Sequence, residues 1–86
     1  MATGTLQKPI RWIPYTATSD VWGQIIVPAN VVSPTQNVVA VRTIGCYALT
    51  PMLDNSQSYW VITIVQNTGT LSPLANTMTV IYLGVQ

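Results

Sequence analysis

The sequence predicts an all-β fold, a small antiparallel β-sandwich or barrel of about five strands with an extended N-terminal arm, residues 1–9 forming the arm and 10–86 a single β domain. Three observations predict it. Runs of Val, Ile, Thr, Tyr and Trp recur between clusters of Pro, Asn, Gly and Ser, the pattern of strands separated by turns. Helix formers are scarce: glutamate is absent, and prolines at 9, 14, 28, 34, 51 and 73 would break most long helices. No helical crossover separates the strand runs, which excludes a parallel βαβ arrangement and leaves a mainly antiparallel sheet.

The first strand is expected around Ile10–Thr16, irregular or at an edge, because Pro9 and Pro14 cannot donate to a ladder. The second runs from Val21 to Val27 and stops at Pro28, and Asn30–Asn37 is a loop in which Ser33-Pro34 favours a turn. A long third strand spans Val38–Leu49, with Gly45 marking a bulge or bend. Pro51–Ser58 is a loop whose Asp54-Asn55-Ser56 is turn chemistry. The fourth strand is Tyr59–Gln66, Asn67–Asn76 is a polar connection, and the fifth strand is Thr77–Val85.

A half-buried strand alternates apolar and polar residues. The fourth strand does not: Tyr59, Val61, Thr63 and Val65 lie on one face, Trp60, Ile62, Ile64 and Gln66 on the other. In the fifth, Ile81, Leu83 and Val85 oppose Met78, Val80 and Tyr82. Strands apolar on both faces are buried on both. Five strands can cover one face by folding into a sandwich, so the second face is expected to meet a neighbouring copy.

Charge supports the same expectation. Lys8, Arg11, Arg42, Asp20 and Asp54 are the entire charged inventory, 6% of 86 residues, against about 25% in an ordinary soluble domain. So few ions leave weak colloidal protection against association, and desolvating hydroxyls and amides costs far less than desolvating ions. A chain this short buries a thin core and needs a disulfide, a metal or partner subunits. Cys46 is the only cysteine, histidine is absent and the two aspartates stand alone, so partner subunits remain.

No catalytic equipment is legible. Cys46 has no histidine to activate it and reads as a small core hydrophobe. Asp20 and Asp54 read as turn formers rather than an acid–base pair. No phosphate-binding glycine loop occurs, so neither an enzyme nor a cofactor or small-molecule substrate is expected. Three basic residues make at most about three phosphate contacts, a weak basis for binding nucleic acid. The first residues lack the apolar core of a signal peptide. No run approaches the ~18 apolar residues of a membrane-spanning helix, and a membrane β-barrel needs about eight strands. The expected contact residues are Lys8, Arg11 and Trp12 near the start, with Trp22, Tyr59, Trp60, Ile62, Ile64 and Tyr82 from the strands.

Over the whole chain, composition and architecture are similar to small virion proteins of bacteriophages and other viruses, including capsid subunits, cement or decoration proteins and fibre modules. No motif ties the chain to a named family. The resemblance implies a structural protein of a large symmetric assembly. It would be a cement, decoration or minor capsid protein, homo-oligomeric (a trimer, for instance) and bound to a major capsid protein in the virion. The competing expectation is a carbohydrate- or receptor-binding β module of a fibre or spike. Aromatic residues placed in loops would favour it, whereas the three tryptophans read as lying in or beside strands.

Overall fold

The computed structural model describes residues 9–67 and 72–86. The expected arm, Lys8 included, therefore lies outside the described residues, except for the exposed Pro9. The described chain is all-β: β1 (Arg11–Thr18), β2 (Gln24–Val27), β3 (Val38–Thr43), β4 (Cys46–Ala48), β5 (Met52–Leu53), β6 (Trp60–Gln66) and β7 (Met78–Val85). Two antiparallel sheets result. One has the order β1-β7-β3; in the other, β6 is flanked by β2 on one side and by β4 and β5 in line on the other.

The chain reaches this arrangement by crossing repeatedly between sheets. Residues 19–23 carry it from β1 to β2, 28–37 back to β3, 44–45 across to β4, and 67–77 from β6 to β7. Among the described residues, only the β5–β6 hairpin pairs strands that follow one another in sequence. The crossing at residues 44–45 has a local cause. Gly45 takes φ +80°, and the Thr43 hydroxyl donates to the Cys46 carbonyl across the corner. The expected single strand Val38–Leu49 is thus two strands in different sheets, and Gly45 is a corner rather than a bulge. The bulge lies earlier in β3, between Val38 and Ala40.

The second strand is also shorter than Val21–Val27, because residues 20–23 form a turn. The Asp20 carboxylate accepts from the amides of Trp22 and Gln24, both at 2.9 Å, and its carbonyl accepts from Gly23 at 3.1 Å. Local side-chain capture of backbone donors outweighs the β propensity of Val21 and Trp22. Ser19, buried beside it, donates to the Leu74 carbonyl at 2.6 Å and accepts from the Thr77 amide at 3.1 Å, pinning this turn to the β6–β7 connection. The other expected turns hold. Gln36 donates to the Ser33 carbonyl at 3.0 Å around Pro34, and β1 is a regular edge strand that tolerates Pro14.

The core lies between the inner faces. Val38, Ile81, Leu83 and Val85 from the first sheet meet Ile25, Val27, Cys46, Trp60, Ile62 and Ile64 from the second, with Val32 of the β2–β3 loop closing one end. The indole N–H of Trp60 donates to the Ser33 carbonyl at 3.3 Å, which gives a polar atom in the core its partner. Cys46 is buried among these residues as a free thiol. Each fully buried Ile, Leu or Val contributes about 1.5–3 kcal/mol of transfer free energy.

Candidate interaction surface

Cross-strand register determines which residues share the outward faces, since directly opposed residues lie on the same side. On the β1-β7-β3 sheet the outward rows are Trp12–Gly84–Ala40, Pro14–Tyr82–Arg42, Thr16–Val80 and Thr18–Met78. The Arg42 guanidinium stands 5.6 Å from the centre of the Trp12 ring, a cation–π contact reaching across the face. That ring lies over Gly84, where an added Cβ would come within 3.2 Å of it. Arg42 is the sole ion among these outward rows, and it packs on apolar neighbours; with Thr43, Ile44 and Tyr82 it lines a shallow depression.

On the second sheet the outward rows are Ile26–Val61–Met52 and Gln24–Thr63, with Tyr47 opposite Val65 beyond them. Val65 is buried, and Pro73 pairs beside it in an isolated antiparallel bridge. Ile26, Tyr47, Leu49 and Met52 are not covered; Met52 is 66% exposed. A depression of about 190 Å³ opens on this face between Gln24, Met52, Val61 and Thr63, with Asp54 and Asn55 on its rim. The described ions next to it are therefore confined to one carboxylate.

The end of the sandwich where β1 turns into β2 carries further exposed apolar residues. Val21 is 60% exposed and Trp22 68%, on the turn that Asp20 closes, and Ile44 and Met78 project from neighbouring connections and strand starts. Edges, by contrast, are poor association sites. β1 carries Pro14, β3 its bulge, β2 has four residues, and Thr50-Pro51 interrupts the line of β4 and β5. Prolines, bulges and short lengths oppose pairing with another strand.

The expected contact residues divide accordingly. Trp12 and Tyr82 share one outward face, and Trp22 stands alone on its turn. Arg11 is exposed at the end of the same sheet, beside Pro9 and Gln36. Trp60, Ile62 and Ile64 require correction: their face of β6 is the inward one, and all three are buried in the chain's own core. Tyr59 precedes β6 and belongs to a turn. Val21, Ile26, Ile44, Met52, Met78 and Val80 are exposed apolar residues that the sequence reading did not select. For Met78 and Val80 the signal was present in the period-two partner face of β7.

The Asp54–Tyr59 turn is the electrostatically organised part of this surface. The Asp54 carboxylate accepts from the Ser56 hydroxyl at 2.6 Å and the Ser56 amide at 3.0 Å, and these bonds hold its pKa below the ordinary value. The hydrogen bond to Asp54 raises the Tyr59 phenol above its ordinary value. Because the Asp54 pKa is lower folded than unfolded, its contribution to the turn is present above the unfolded value and is lost as pH falls through the folded one. The Tyr59 contribution has the opposite sign, present below about pH 10 and lost as pH rises through the elevated value. The Ser56 amide resonance is therefore expected to shift in an acid titration below about pH 4, and Asp54→Asn is expected to abolish that transition. An unchanged titration in the variant would contradict the assignment.

With this geometry in hand, the class is an all-β sandwich whose outer faces carry few ions. No family model, curated protein or solved structure matches the chain.

Proposed function

We propose that this chain is a non-enzymatic structural subunit of a large symmetric assembly, a viral shell component of the cement, decoration or minor capsid type, of the kind found in bacteriophages. It would stabilise the shell by contacts with copies of itself and with a major capsid protein, and would reside in the virion. The observation that carries the reading is the outward register of both sheets. The row Ile26–Val61–Met52 on one sheet, and Trp12, Val80 and Met78 on the other, place apolar side chains outward in a chain with five ions. A large exposed apolar patch marks an interaction site.

Magnitudes favour a repeated contact over a solitary one. Each 100 Å² of apolar surface removed from water contributes about 2.5 kcal/mol, against an association cost on the order of 10 kcal/mol for each body immobilised. In a closed shell each subunit is immobilised once and contacts several neighbours, so the gain accumulates faster than the cost. Light scattering coupled to size exclusion tests this: the isolated protein is expected to elute as a homo-oligomer at micromolar concentration. A monodisperse monomer at millimolar concentration would contradict it.

A second reading, a carbohydrate- or receptor-binding module of a fibre or spike, is favoured by one observation. Trp22 lies on an exposed turn rather than in a strand, where an indole can stack on a sugar ring. Glycan binding abolished by Trp22→Ala would support it over the assembly reading.

A further inference from the structure

The Asp20–Gly23 turn combines a tightly fixed backbone with exposed apolar side chains. A network of hydrogen bonds holds it and its junctions with β6 and residues 74–77, the Ser19 amide donating to the Thr77 carbonyl at 3.1 Å and the Ile64 amide to the Gly23 carbonyl at 2.8 Å. Besides the two to the Asp20 carboxylate and the two of the Ser19 hydroxyl, the Gly23 amide and the Asn76 amide donate to the Asp20 carbonyl, and Asp20 donates to Gln24. Gly23 sits so close to β6 that a Cβ would lie 2.8 Å from the Ile64 carbonyl oxygen. One of the two aspartates in the chain and a buried serine are committed to this turn. Its two central residues are nevertheless Val21 and Trp22, where solvent-exposed turns favour Asn, Gly or Ser. A rigidly presented tryptophan loses little entropy on binding and is the commonest kind of interface anchor.

The same chain carries a complementary recess. The depression on the outward face of β2, β6 and β5 has apolar walls from Met52, Leu53 and Val61, and Thr50, Thr63, Asp54 and Asn55 supply acceptors at its margin. Its volume of about 190 Å³ exceeds the roughly 150 Å³ of an apolar cavity that holds benzene, so an indole ring fits its scale. An indole N–H needs an acceptor on burial, and the ionised Asp54 and the threonine hydroxyls at the margin can supply one. No lysine or arginine lines it to oppose an apolar ring. Trp22, 68% exposed, does not fill this recess within its own chain.

We infer that Trp22 is the anchor of a contact between two copies of this chain, its indole entering the recess between Met52 and Val61 of the neighbour. The inference rests on the assembly reading and deepens it by naming the contact. Reciprocal exchange gives a closed two-fold pair, and one-way exchange gives a ring or filament. The other outward face, with Trp12, Arg42 and Tyr82, then stays available for a different protein.

Sedimentation equilibrium of the wild type, Trp22→Ala, Met52→Ala and the double variant tests it, with thermal melts establishing that all four are folded. Removing the anchor is expected to weaken self-association on the order of thirtyfold and Met52→Ala by less. The double variant is expected to be no weaker than Trp22→Ala alone, because Met52 loses its role once the indole is gone. Self-association unchanged in Trp22→Ala would overturn the inference while leaving the assembly reading intact. Losses that multiply in the double variant would overturn the pairing of Trp22 with the recess. A wild type that remains monomeric at every concentration would overturn both. Glycan binding lost in Trp22→Ala with association unaltered would assign the residue to sugar recognition instead.

Discussion

Ile62→Ala is expected to cost about 3–4 kcal/mol of folding stability. Ile62 is 0% exposed, at the centre of β6, the strand that both β2 and β5 use as their pairing partner. Truncation removes buried apolar surface and leaves a cavity that a two-sheet packing cannot close, since the inner faces are held apart by Trp60, Ile64 and Leu83. A chain of 86 residues has roughly 4–13 kcal/mol of total stability, so the substitution removes a large share of it. In urea, with m on the order of 1 kcal/mol/M for a small domain, the midpoint is expected to fall by about 3 M. Val61→Ala, one residue away on the half-buried outward face, is expected to cost less than half as much. Equal losses at the two positions would mean that the inward and outward faces of β6 have been assigned the wrong way round.

The second large effect is expected at Gly23. Gly23 and Gly45 both take left-handed backbone, φ +77° and +80°, which costs an alanine about 1 kcal/mol. Their surroundings differ. An added Cβ at Gly45 meets nothing within 4 Å, whereas at Gly23 it meets the Ile64 carbonyl oxygen at 2.8 Å and the Pro73 Cβ at 3.1 Å. Both contacts belong to packed chain, and relieving them requires moving β6 or the 72–74 segment away from the turn. Gly45→Ala is therefore expected to cost about 1 kcal/mol and Gly23→Ala about 3 kcal/mol. Thermal melts of the two variants check this, and equal shifts in Tm would show that backbone strain alone governs both sites.

Much of the fold was legible because its signals are local. Pro28 ends β2, Ser33-Pro34 makes its turn, and the Val- and Ile-rich runs of β6 and β7 form strands where the pattern puts them. What remained hidden depends on contacts distant in sequence. Whether Gly45 bends a strand or sends it to another sheet is set by β6 and β7, which pair with β4 and β3 respectively. Trp22 reads as strand because its propensity is high, and only the geometry of the Asp20 carboxylate against two amides reveals a turn. β5, only two residues long and directly after Pro51, carries no periodicity to detect.

The direction of the strand faces was not legible. A strand apolar on both faces does not say which face belongs to the chain's own core. Trp60, Ile62 and Ile64 therefore stood among the expected contact residues although they pack internally. Val65, opposite Tyr47 on the other face of β6, is buried too, with Pro73 paired beside it, while Met52 and Met78, on short or terminal stretches of strand, remain exposed. Period two identifies the rows; only the inter-sheet crossings decide their direction.

The central claim is that the outward apolar rows are covered by other chains when the protein is at work. Hydroxyl-radical footprinting with mass spectrometry reads this directly, because Trp12, Trp22, Met52 and Met78 are reactive side chains distributed over both faces and the turn end. Comparing dilute with concentrated protein, protection is predicted at Trp22 and Met52, with Trp60 protected in both. Equal oxidation of Trp12, Trp22, Met52 and Met78 at every concentration, and equally in the presence of shell proteins, would contradict the account.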